Sequence, residues 1–312
     1  MPTRFLRRVL TSVPLLFVVT FLSFALNSFL PGDAAQTMMQ GEGTRAEYLA
    51  VRAELGLDQP LLVQYVHWLS RALHGDLGTS FFTNESVVSL LNQRVGVTLS
   101  ILAGVMLVSV SAGLWLGVAS AVRRGRVGAA IDVISLTGMM FPSFWVALVL
   151  MSIFAVWLQW LPATGYSPLS QGLGSWLACL ALPVLSVSLH AVTGIAKQTR
   201  DAMRDVLDRD FIRALRASGL SERVIFWKHA LRNAALPVVT MIGLVMVSAI
   251  GGTVFVERVF VLPGLGSLAV TAAQQGDIPL LQGATLYFTA LTIAINLVVD
   301  LSYGWLNPKL RR

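Results

Sequence analysis

Uncharged apolar runs separated by polar segments dominate the pattern of this sequence. Residues 9–30, 95–122, 233–256 and 278–299 each lack any charged side chain, and so does the much longer stretch 133–196. A helix needs about 20 predominantly apolar residues to cross a bilayer. Each of the four shorter runs therefore predicts one membrane-spanning helix.

The stretch 133–196 is too long for a single crossing and contains its own break. Helix-breaking residues cluster in its middle, at Pro162, Gly165, Pro168, Gly172 and Gly174. They leave helices at 133–157 and 177–196, which brings the predicted crossings to six. A membrane β-barrel would need segments of about ten residues with alternating hydrophobicity, and no run alternates in this way. We therefore predict an all-α, polytopic membrane protein with six transmembrane helices.

Composition excludes a water-soluble domain. The chain is 55% hydrophobic and 12% charged, whereas a soluble domain has about 25% charged residues. Arg7 and Arg8 precede the first run as they would in a secretory signal, but the apolar core of a signal has only about 7–15 residues. Because Leu30-Pro31-Gly32-Asp33 is also a poor cleavage site, we predict an uncleaved first helix. The single cysteine, Cys179, excludes an intrachain disulfide.

The distribution of basic residues predicts the orientation in the membrane. Of 23 Lys and Arg residues, 18 lie before the first helix, after the second, between the fourth and fifth, or at the C-terminus. Cytoplasmic loops retain Lys and Arg, so we predict that both termini are cytoplasmic. The net charge of +7 reflects this bias and does not indicate binding to nucleic acid.

Two loops are too large to be simple turns. The outer loop, residues 31–94, has helically spaced apolar residues at 48–55 and 61–73, which predict small interfacial helices. The inner loop, residues 197–232, carries an amphipathic stripe that predicts a helix running on from the fourth crossing. The stripe consists of Met203, Val206, Leu207, Ile212 and Leu215.

Gly219 and Leu220 interrupt the inner loop, and Ser221 can cap a second helix with Glu222 in its first turn. A glycine at this corner permits a positive φ. Two short helices would then meet in a compact, charged knuckle. An ordinary solvated loop of mixed charge is the alternative interpretation.

Several segments, in order along the chain, resemble one family. Residues 210–222 (DFIRALRASGLSE) and 229–237 (HALRNAALP) are similar to the "EAA" loop of ABC importer permeases in the dipeptide and oligopeptide form. Further similar segments are LPGD at 30–33, LGLDQP at 55–60, GDLGTS at 75–80, VERVF at 256–260, PGLG at 263–266, QGA at 282–284, DL at 300–301 and NPK at 307–309. The resemblance spans almost the whole chain and implies one transmembrane domain, residues 1–312, of the type I ABC importer permease fold in a bacterial inner membrane.

The resemblance also implies a role for the inner loop. In this family the knuckle, or coupling helix, sits in a groove of a cytoplasmic ATPase. By position this implies ATPase contact for Arg213, Ala214, Ser218, Gly219, Leu220 and Glu222. Arg213 stands where Glu is usual and Leu215 where Ala is usual, which puts in doubt an ionic contact from position 213. For each residue a solvated or packing role is the alternative.

The implied partners are a second, similar permease, two ATPase subunits, an extracytoplasmic substrate-binding protein and membrane lipid. This chain has no G-x-x-x-x-G-K-[ST] phosphate-binding loop. ATP and Mg are therefore expected only on the partner subunits, and no cofactor is expected here. Alternating access is the implied mechanism, with a heterodimer of permeases or, as an alternative, a homodimer.

The sequence gives weaker indications of the substrate path and of the helix contacts. His190 and Thr193 could face a path, although a histidine within the membrane more often hydrogen-bonds a neighbouring helix. Ser109, Gly113, Gly117 and Ala121 recur at intervals of four and predict a close helix contact, within the chain or across to a partner.

Other functions have less support. The chain lacks H-E-x-x-H, G-x-S-x-G and paired cysteines, so neither a catalytic site nor a metal site is predicted. The predicted crossings contain no ionisable residue except His190, with Asp300 at one end, which disfavours a proton-coupled or sodium-coupled secondary transporter. Peptides are the predicted cargo. A nickel complex, glutathione or a sugar remains the alternative, because the same permease form serves such solutes.

Overall fold

The structure, a computed structural model, describes residues 2–28, 44–54, 56–122 and 140–306 and the isolated positions Ala35, Met39, Val133 and Gly138. The described residues are predominantly helical. Their only strand-like feature is a single bridge between Thr79 and Ser86. The predicted all-α architecture is therefore confirmed for this part of the chain.

The helices follow the apolar runs and the two large loops. They are α1 Pro2–Ser28, α2 Arg45–Glu54, α3 Leu61–Leu73, α4 Val87–Val122, α5 Ser143–Trp157, α6 Leu173–Leu207, α7 Asp210–Ala217, α8 Glu222–Val259, α9 Leu265–Gln275 and α10 Ile278–Leu306. Within them, Met151–Trp157 of α5 and Ile225–Ala230 of α8 have π-type hydrogen bonding.

Four of these helices, α4, α6, α8 and α10, are long and apolar enough to cross a membrane. The apolar parts of α1, Thr11–Asn27, and of α5, Ser143–Trp157, are shorter. The predicted third crossing starts at residue 133. Half of its first ten residues, 134–137 and 139, lie outside the described part of the chain.

Helix α6 is far longer than one crossing requires. Its 35 residues at about 1.5 Å each span about 50 Å, whereas the hydrocarbon core is about 30 Å thick. The predicted continuation of the fourth crossing into an amphipathic segment is therefore confirmed as far as Leu207. The rest of that prediction is wrong, because Asp208 and Arg209 separate α6 from α7 and Arg209 has an extended backbone (φ −75°, ψ 149°).

The outer loop contains the two predicted helices, and their caps are visible. Glu47 accepts hydrogen bonds from the backbone N–H and the hydroxyl of Thr44, and Thr44 Oγ1 accepts one from the N–H of Glu47. This reciprocal pattern is a capping box at the start of α2. Helix α9, in contrast, was not predicted, because its 11 residues are too few to form an apolar run that stands out.

The chain packs as two compact units. The larger contains Leu99–Leu262 and the end of α10 from Ala294, and the smaller contains Leu6–Thr98 and Pro263–Ile293. In the smaller unit a buried apolar cluster joins the outer loop to α4, α9 and α10. Its members are Leu77, Val87, Leu90, Leu91, Leu265, Leu268, Ala272, Leu280 and Ala284.

Helix directions in the larger unit follow from side-chain contacts. Glycines at 104, 113 and 117 of α4 meet α6 at residues 184, 195 and 199 respectively, so α4 and α6 run parallel. Helix α8 runs antiparallel to α6, because Gly252 lies by Val187 while the early residues of α8 pack near the end of α6. Tyr303 of α10 donates a hydrogen bond to Thr240 of α8 at 2.8 Å, and Val299 meets Gly243, so these two helices are antiparallel as well.

Candidate functional site

The knuckle, defined here as residues 208–224, consists of α7, a tight corner and the first turn of α8. The corner is a Schellman motif. The N–H of Gly219 donates to the carbonyl of Arg216 at 3.0 Å, and the N–H of Leu220 donates to that of Leu215 at 3.3 Å. Gly219 has a φ of +82°, a left-handed conformation that glycine adopts without steric cost. The predicted interruption at Gly219-Leu220 is therefore confirmed.

An ion pair closes the corner from outside. Arg216 donates to both carboxylate oxygens of Glu222, with N–O distances of 2.7 and 3.3 Å. These hydrogen bonds raise the pKa of the Arg216 guanidinium above its ordinary value. Glu222, expected to contact an ATPase, thus has an internal partner across the corner. Ser221 occupies the N-cap position as predicted, but its side chain makes no capping hydrogen bond.

One face of the knuckle is anchored in the larger unit. Ile212 of α7 and Ile225 of α8 are fully buried. They belong to a cluster with Val118, Ala121, Ala202, Met203, Val206, Ala230, Ala234 and Val238, which come from α4, α6 and α8. The predicted amphipathic stripe therefore faces this cluster. A displacement of the knuckle would act directly on three long helices, because close-packed side chains transmit strain.

The opposite face of the knuckle is exposed. All six residues expected to contact a partner lie on it, namely Arg213, Ala214, Ser218, Gly219, Leu220 and Glu222. Arg213 forms an exposed pair with Asp210 at 3.2 Å. Three large apolar side chains that the sequence did not single out are also exposed here or just beyond, Phe211, Val224 and Trp227. Each of the three is an apolar residue outside the predicted buried stripe, and this position in the pattern could have indicated its exposure.

A second feature of the larger unit is a cavity of about 440 Å³ between α5, α6 and α8. Its lining is mostly apolar, with Met140, Phe141, Phe144 and Phe255 among the described residues, and its polar groups include His190, Ser143 and Ser248. A few hydrogen-bonding groups in an apolar wall are typical of small-molecule sites.

The two residues expected on a substrate path lie in different surroundings. His190 lines this cavity. Thr193 is 4% exposed, its hydroxyl donates to the carbonyl of His190 at 2.8 Å, and its methyl group packs against Gly138. Thr193 is not among the residues that line the cavity.

The stripe of small residues on α4 contacts α6 of the same chain. A Cβ built on Gly113 would lie 2.8 Å from the side chain of Ile195, and one on Gly117 would lie 2.6 Å from the carbonyl of Ala196. Ser109 is fully buried, and Ala121 belongs to the cluster beneath the knuckle. Of the two alternatives, a contact within the chain or to a partner, the structure therefore supports the first for both glycines.

Among the described residues, no group of three or more His, Cys, Asp or Glu side chains is placed to hold a metal ion.

Similarity to known proteins covers nearly the whole chain. Residues 109–312 match the family of binding-protein-dependent transport system inner membrane components, and residues 1–102 match the N-terminal region of the membrane components of such systems. A probable peptide ABC transporter permease of Sinorhizobium fredii is 37% identical over 307 residues, which is 98% of both chains. The glutathione transport system permease GsiC of Salmonella choleraesuis is 39% identical over the same share.

A solved structure shares the fold. A chain of the MetNI methionine ABC transporter, crystallised in inward-facing conformations, has a TM-score of 0.56 at 17% identity, covering 70% of this chain and 96% of that one. Family, fold and apolar helices agree with the multi-pass membrane protein expected from the sequence. The chain belongs to the binding-protein-dependent transport system inner membrane components, the permease family of ABC importers.

Proposed function

We propose that this chain is the channel-forming permease subunit of an ATP-driven importer that moves di- or oligopeptides across the inner membrane by alternating access. The carrying observation is the knuckle, whose outer face is exposed while its inner face is buried among three long helices. Such an element can pass the movement of a partner to the membrane segment. Relatives named as peptide permeases support the cargo.

The topology belongs to the proposal, with six crossings near 9–30, 95–122, 133–157, 177–196, 233–256 and 278–299 in one domain, residues 1–312. The parallel contact of α4 with α6 supports it. Two consecutive long helices can cross in the same direction only if the chain between them returns across the membrane, and α5 is the apolar helix available for this return. Cytoplasmic termini follow from the bias of basic residues.

Energy would come from partner subunits. Two ATPases, which bind ATP and Mg, would close beneath the membrane and push on Arg213, Ala214, Ser218, Gly219 and Leu220. Glu222 would act mainly inside the knuckle by holding Arg216. Ile212 and Ile225 would carry the displacement to α4, α6 and α8.

The remaining partners complete the importer. A second, similar permease would pair with this chain, and a substrate-binding protein would dock on the outer face, partly on the loop 31–94. The cavity at His190 is the candidate stretch of the substrate path, because its apolar wall and few polar groups suit varied cargo. Thr193 would position α6 rather than touch cargo, given its packing against Gly138. Glutathione is a second candidate cargo, supported by the relative named for its transport.

Co-purification and uptake test this function together. The tagged chain, extracted from its native membrane in mild detergent, should carry an ATPase and a second permease with it. In proteoliposomes the complex should import a labelled tripeptide only with ATP and the binding protein. Ala214→Glu, which places a charge on the exposed face of α7, should abolish import with normal membrane insertion. Recovery of the chain without an ATPase, or unchanged import by Ala214→Glu, would contradict the proposal.

A further inference from the structure

The start of α8 has one buried and one exposed face. Ile225 and Ala230 are fully buried, although regular α-helical spacing would place residues five apart about 140° from each other around the axis. The π-type hydrogen bonding of Ile225–Ala230 joins residues i and i+5, which aligns these two side chains on the buried face. The remaining surface of this segment is exposed. Its side chains include Arg223, Val224, Trp227, Lys228 and Arg232.

Three of these exposed side chains are cations without a counter-charge. Arg223, Lys228 and Arg232 form no ion pair and no side-chain hydrogen bond with the described residues. The acidic residue just before them, Glu222, is held by Arg216, and α8 has no other Asp or Glu before its last turn. This part of α8 is therefore a positive surface that has a free charge for a partner.

The level of these side chains in the membrane rests on the proposed topology, in which the fifth crossing starts at residue 233. For a helix along the membrane normal, Arg232 is about 2 Å, Lys228 about 8 Å and Trp227 about 9 Å beyond the hydrocarbon edge. The headgroup layer on each side is about 5–8 Å thick, so long side chains at these positions reach the lipid phosphates. Arg223 is about 15 Å beyond the edge, which is still about one Debye length from the layer.

Trp227 is the aromatic member of this surface. Its side chain is 47% exposed, and it lies between the cations rather than on the buried face. Tryptophan is enriched at membrane–water interfaces, where one end of the indole is apolar and the other is hydrated. The exposure of Trp227 at headgroup level therefore agrees with a lipid partner better than with open water.

We propose that the basic stripe, defined as Arg223, Trp227, Lys228 and Arg232, binds the headgroups of anionic phospholipids in the cytoplasmic leaflet. Charge complementarity selects this partner, because a zwitterionic headgroup balances its phosphate with its own cation. A Lys or Arg close to an anionic leaflet strengthens the attraction about fivefold. Ile225, on the opposite face of α8, belongs to the cluster beneath the knuckle, so lipid bound to the stripe would restrain the element that transmits movement.

The test titrates the assembled importer in detergent micelles with phosphatidylglycerol and, separately, with phosphatidylcholine, and native mass spectrometry counts the bound lipids. The variants are Arg223→Gln, Lys228→Gln and Arg232→Gln, singly and together. A second triple variant, Arg223→Lys, Lys228→Arg and Arg232→Lys, keeps the charge. Arg209→Gln is the matched control, because Arg209 is exposed, makes no ion pair with the described residues and lies about 20 Å beyond the end of the proposed fourth crossing.

The wild type should bind phosphatidylglycerol more tightly than phosphatidylcholine. Lys228→Gln and Arg232→Gln should each weaken phosphatidylglycerol binding about fivefold, and Arg223→Gln should weaken it less, because it is farther from the headgroups. The triple glutamine variant should lose the preference, whereas the charge-keeping variant and Arg209→Gln should bind as the wild type does. Equal phosphatidylglycerol binding by the wild type and the triple glutamine variant would overturn the proposal.

Two further measurements identify the partner. Glycerophosphoglycerol, the headgroup without acyl chains, should bind much more weakly than the whole lipid, and equal binding would assign the stripe to a soluble phosphate compound instead. If the triple glutamine variant loses the ATPase on purification but keeps its phosphatidylglycerol binding, the stripe belongs to the ATPase contact and the lipid proposal fails.

Reconstituted import separates this proposal from the proposed function. Wild-type uptake should rise with the phosphatidylglycerol content of the liposomes, and uptake by the triple glutamine variant should not. If the wild type imports peptides equally well at every lipid composition and shows no preference for phosphatidylglycerol, only the lipid assignment fails. If the lipid titrations come out as expected but no peptide is imported and no ATPase is recovered, the proposed function fails and the lipid site stands.

Discussion

Gly219 sets the geometry of the knuckle through its backbone alone. A Cβ at this position would meet nothing within 4 Å, yet φ is +82°. Any penalty for a side chain is therefore conformational. It amounts to about 1–2 kcal/mol for most residues and less for asparagine, which tolerates the left-handed region. The Schellman corner sets the orientation of the start of α8 relative to α7. Strain at Gly219 would therefore misplace the exposed face of the knuckle.

We expect ATP-driven uptake in proteoliposomes to fall in the order Gly219, Gly219→Asn, Gly219→Val. A β-branched residue is the most strained at positive φ, and space is not limiting at this site. The control is Gly96→Ala, a helical and equally open position without a positive φ, which should keep normal uptake. Equal activity of the Asn and Val variants would show that backbone conformation at 219 does not matter for coupling.

The ion pair between Arg216 and Glu222 should matter for coupling efficiency more than for stability. The two side chains are 42% and 52% exposed, so the pair is worth about 0.2–1 kcal/mol. Glu222→Gln should reduce the number of peptides moved per ATP, and the difference from wild type should shrink at high salt, because screening already weakens the pair there. Asp210→Asn, which removes the more exposed pair with Arg213, serves as the control with a smaller expected effect. A deficit that does not change with salt would contradict this role.

At the scale of elements, the close contact between α4 and α6 depends on glycines, which have no side chain. Built Cβ atoms differ in what they would meet. At Gly104 the obstacle is the side chain of Val184, whereas at Gly117 it includes the carbonyl of Ala196 at 2.6 Å. A side chain can rotate away, but backbone cannot. The two glycines therefore contribute unequally to one helix interface.

We expect Gly117→Ala to lower the melting temperature of the purified complex more than Gly104→Ala does, and Gly96→Ala to leave it unchanged or slightly raised. Overpacking of this kind costs about 1–3 kcal/mol, whereas alanine in an open helical position is favourable. Thermal denaturation of the three variants, prepared in the same detergent, measures this order. The same loss for Gly104→Ala and Gly117→Ala would refute the distinction between side-chain and backbone obstacles.

Sequence patterns predicted the elements better than their partners. Apolar runs located the long helices, and the stripe from Met203 to Leu215 correctly identified the face that is buried. The stripe of small residues on α4 did not indicate which helix it contacts, because its spacing fits a helix of the same chain as well as one of a partner. The exposed Trp227 was missed, since an apolar residue on a helix is by default assigned to its buried face. Thr193, expected together with His190 on a substrate path, packs against Gly138, a contact that the sequence pattern does not indicate.

At the scale of the whole molecule, helix directions constrain the topology. Helices α4 and α6 run parallel, and α8 and then α10 alternate after them. Parallel consecutive spans require a return crossing between residues 122 and 173, although α5 has only 15 apolar helical residues, about 22 Å of helix. This length is shorter than the hydrocarbon core of about 30 Å, so residues before Ser143 would have to complete the crossing.

Cysteine accessibility tests this topology. In a Cys179→Ala background, Glu85→Cys before α4 and Ser170→Cys before α6 should both react with a membrane-impermeant maleimide on intact spheroplasts. Ser221→Cys in the knuckle should react only after the membrane is permeabilised. All three positions are exposed, so unequal labelling reports the side of the membrane rather than burial. If the segment containing α5 did not cross, Glu85→Cys and Ser170→Cys would label from opposite sides. In that case the parallel packing of α4 and α6 would have to be abandoned along with the six-helix topology, because both helices could not then span in the same direction.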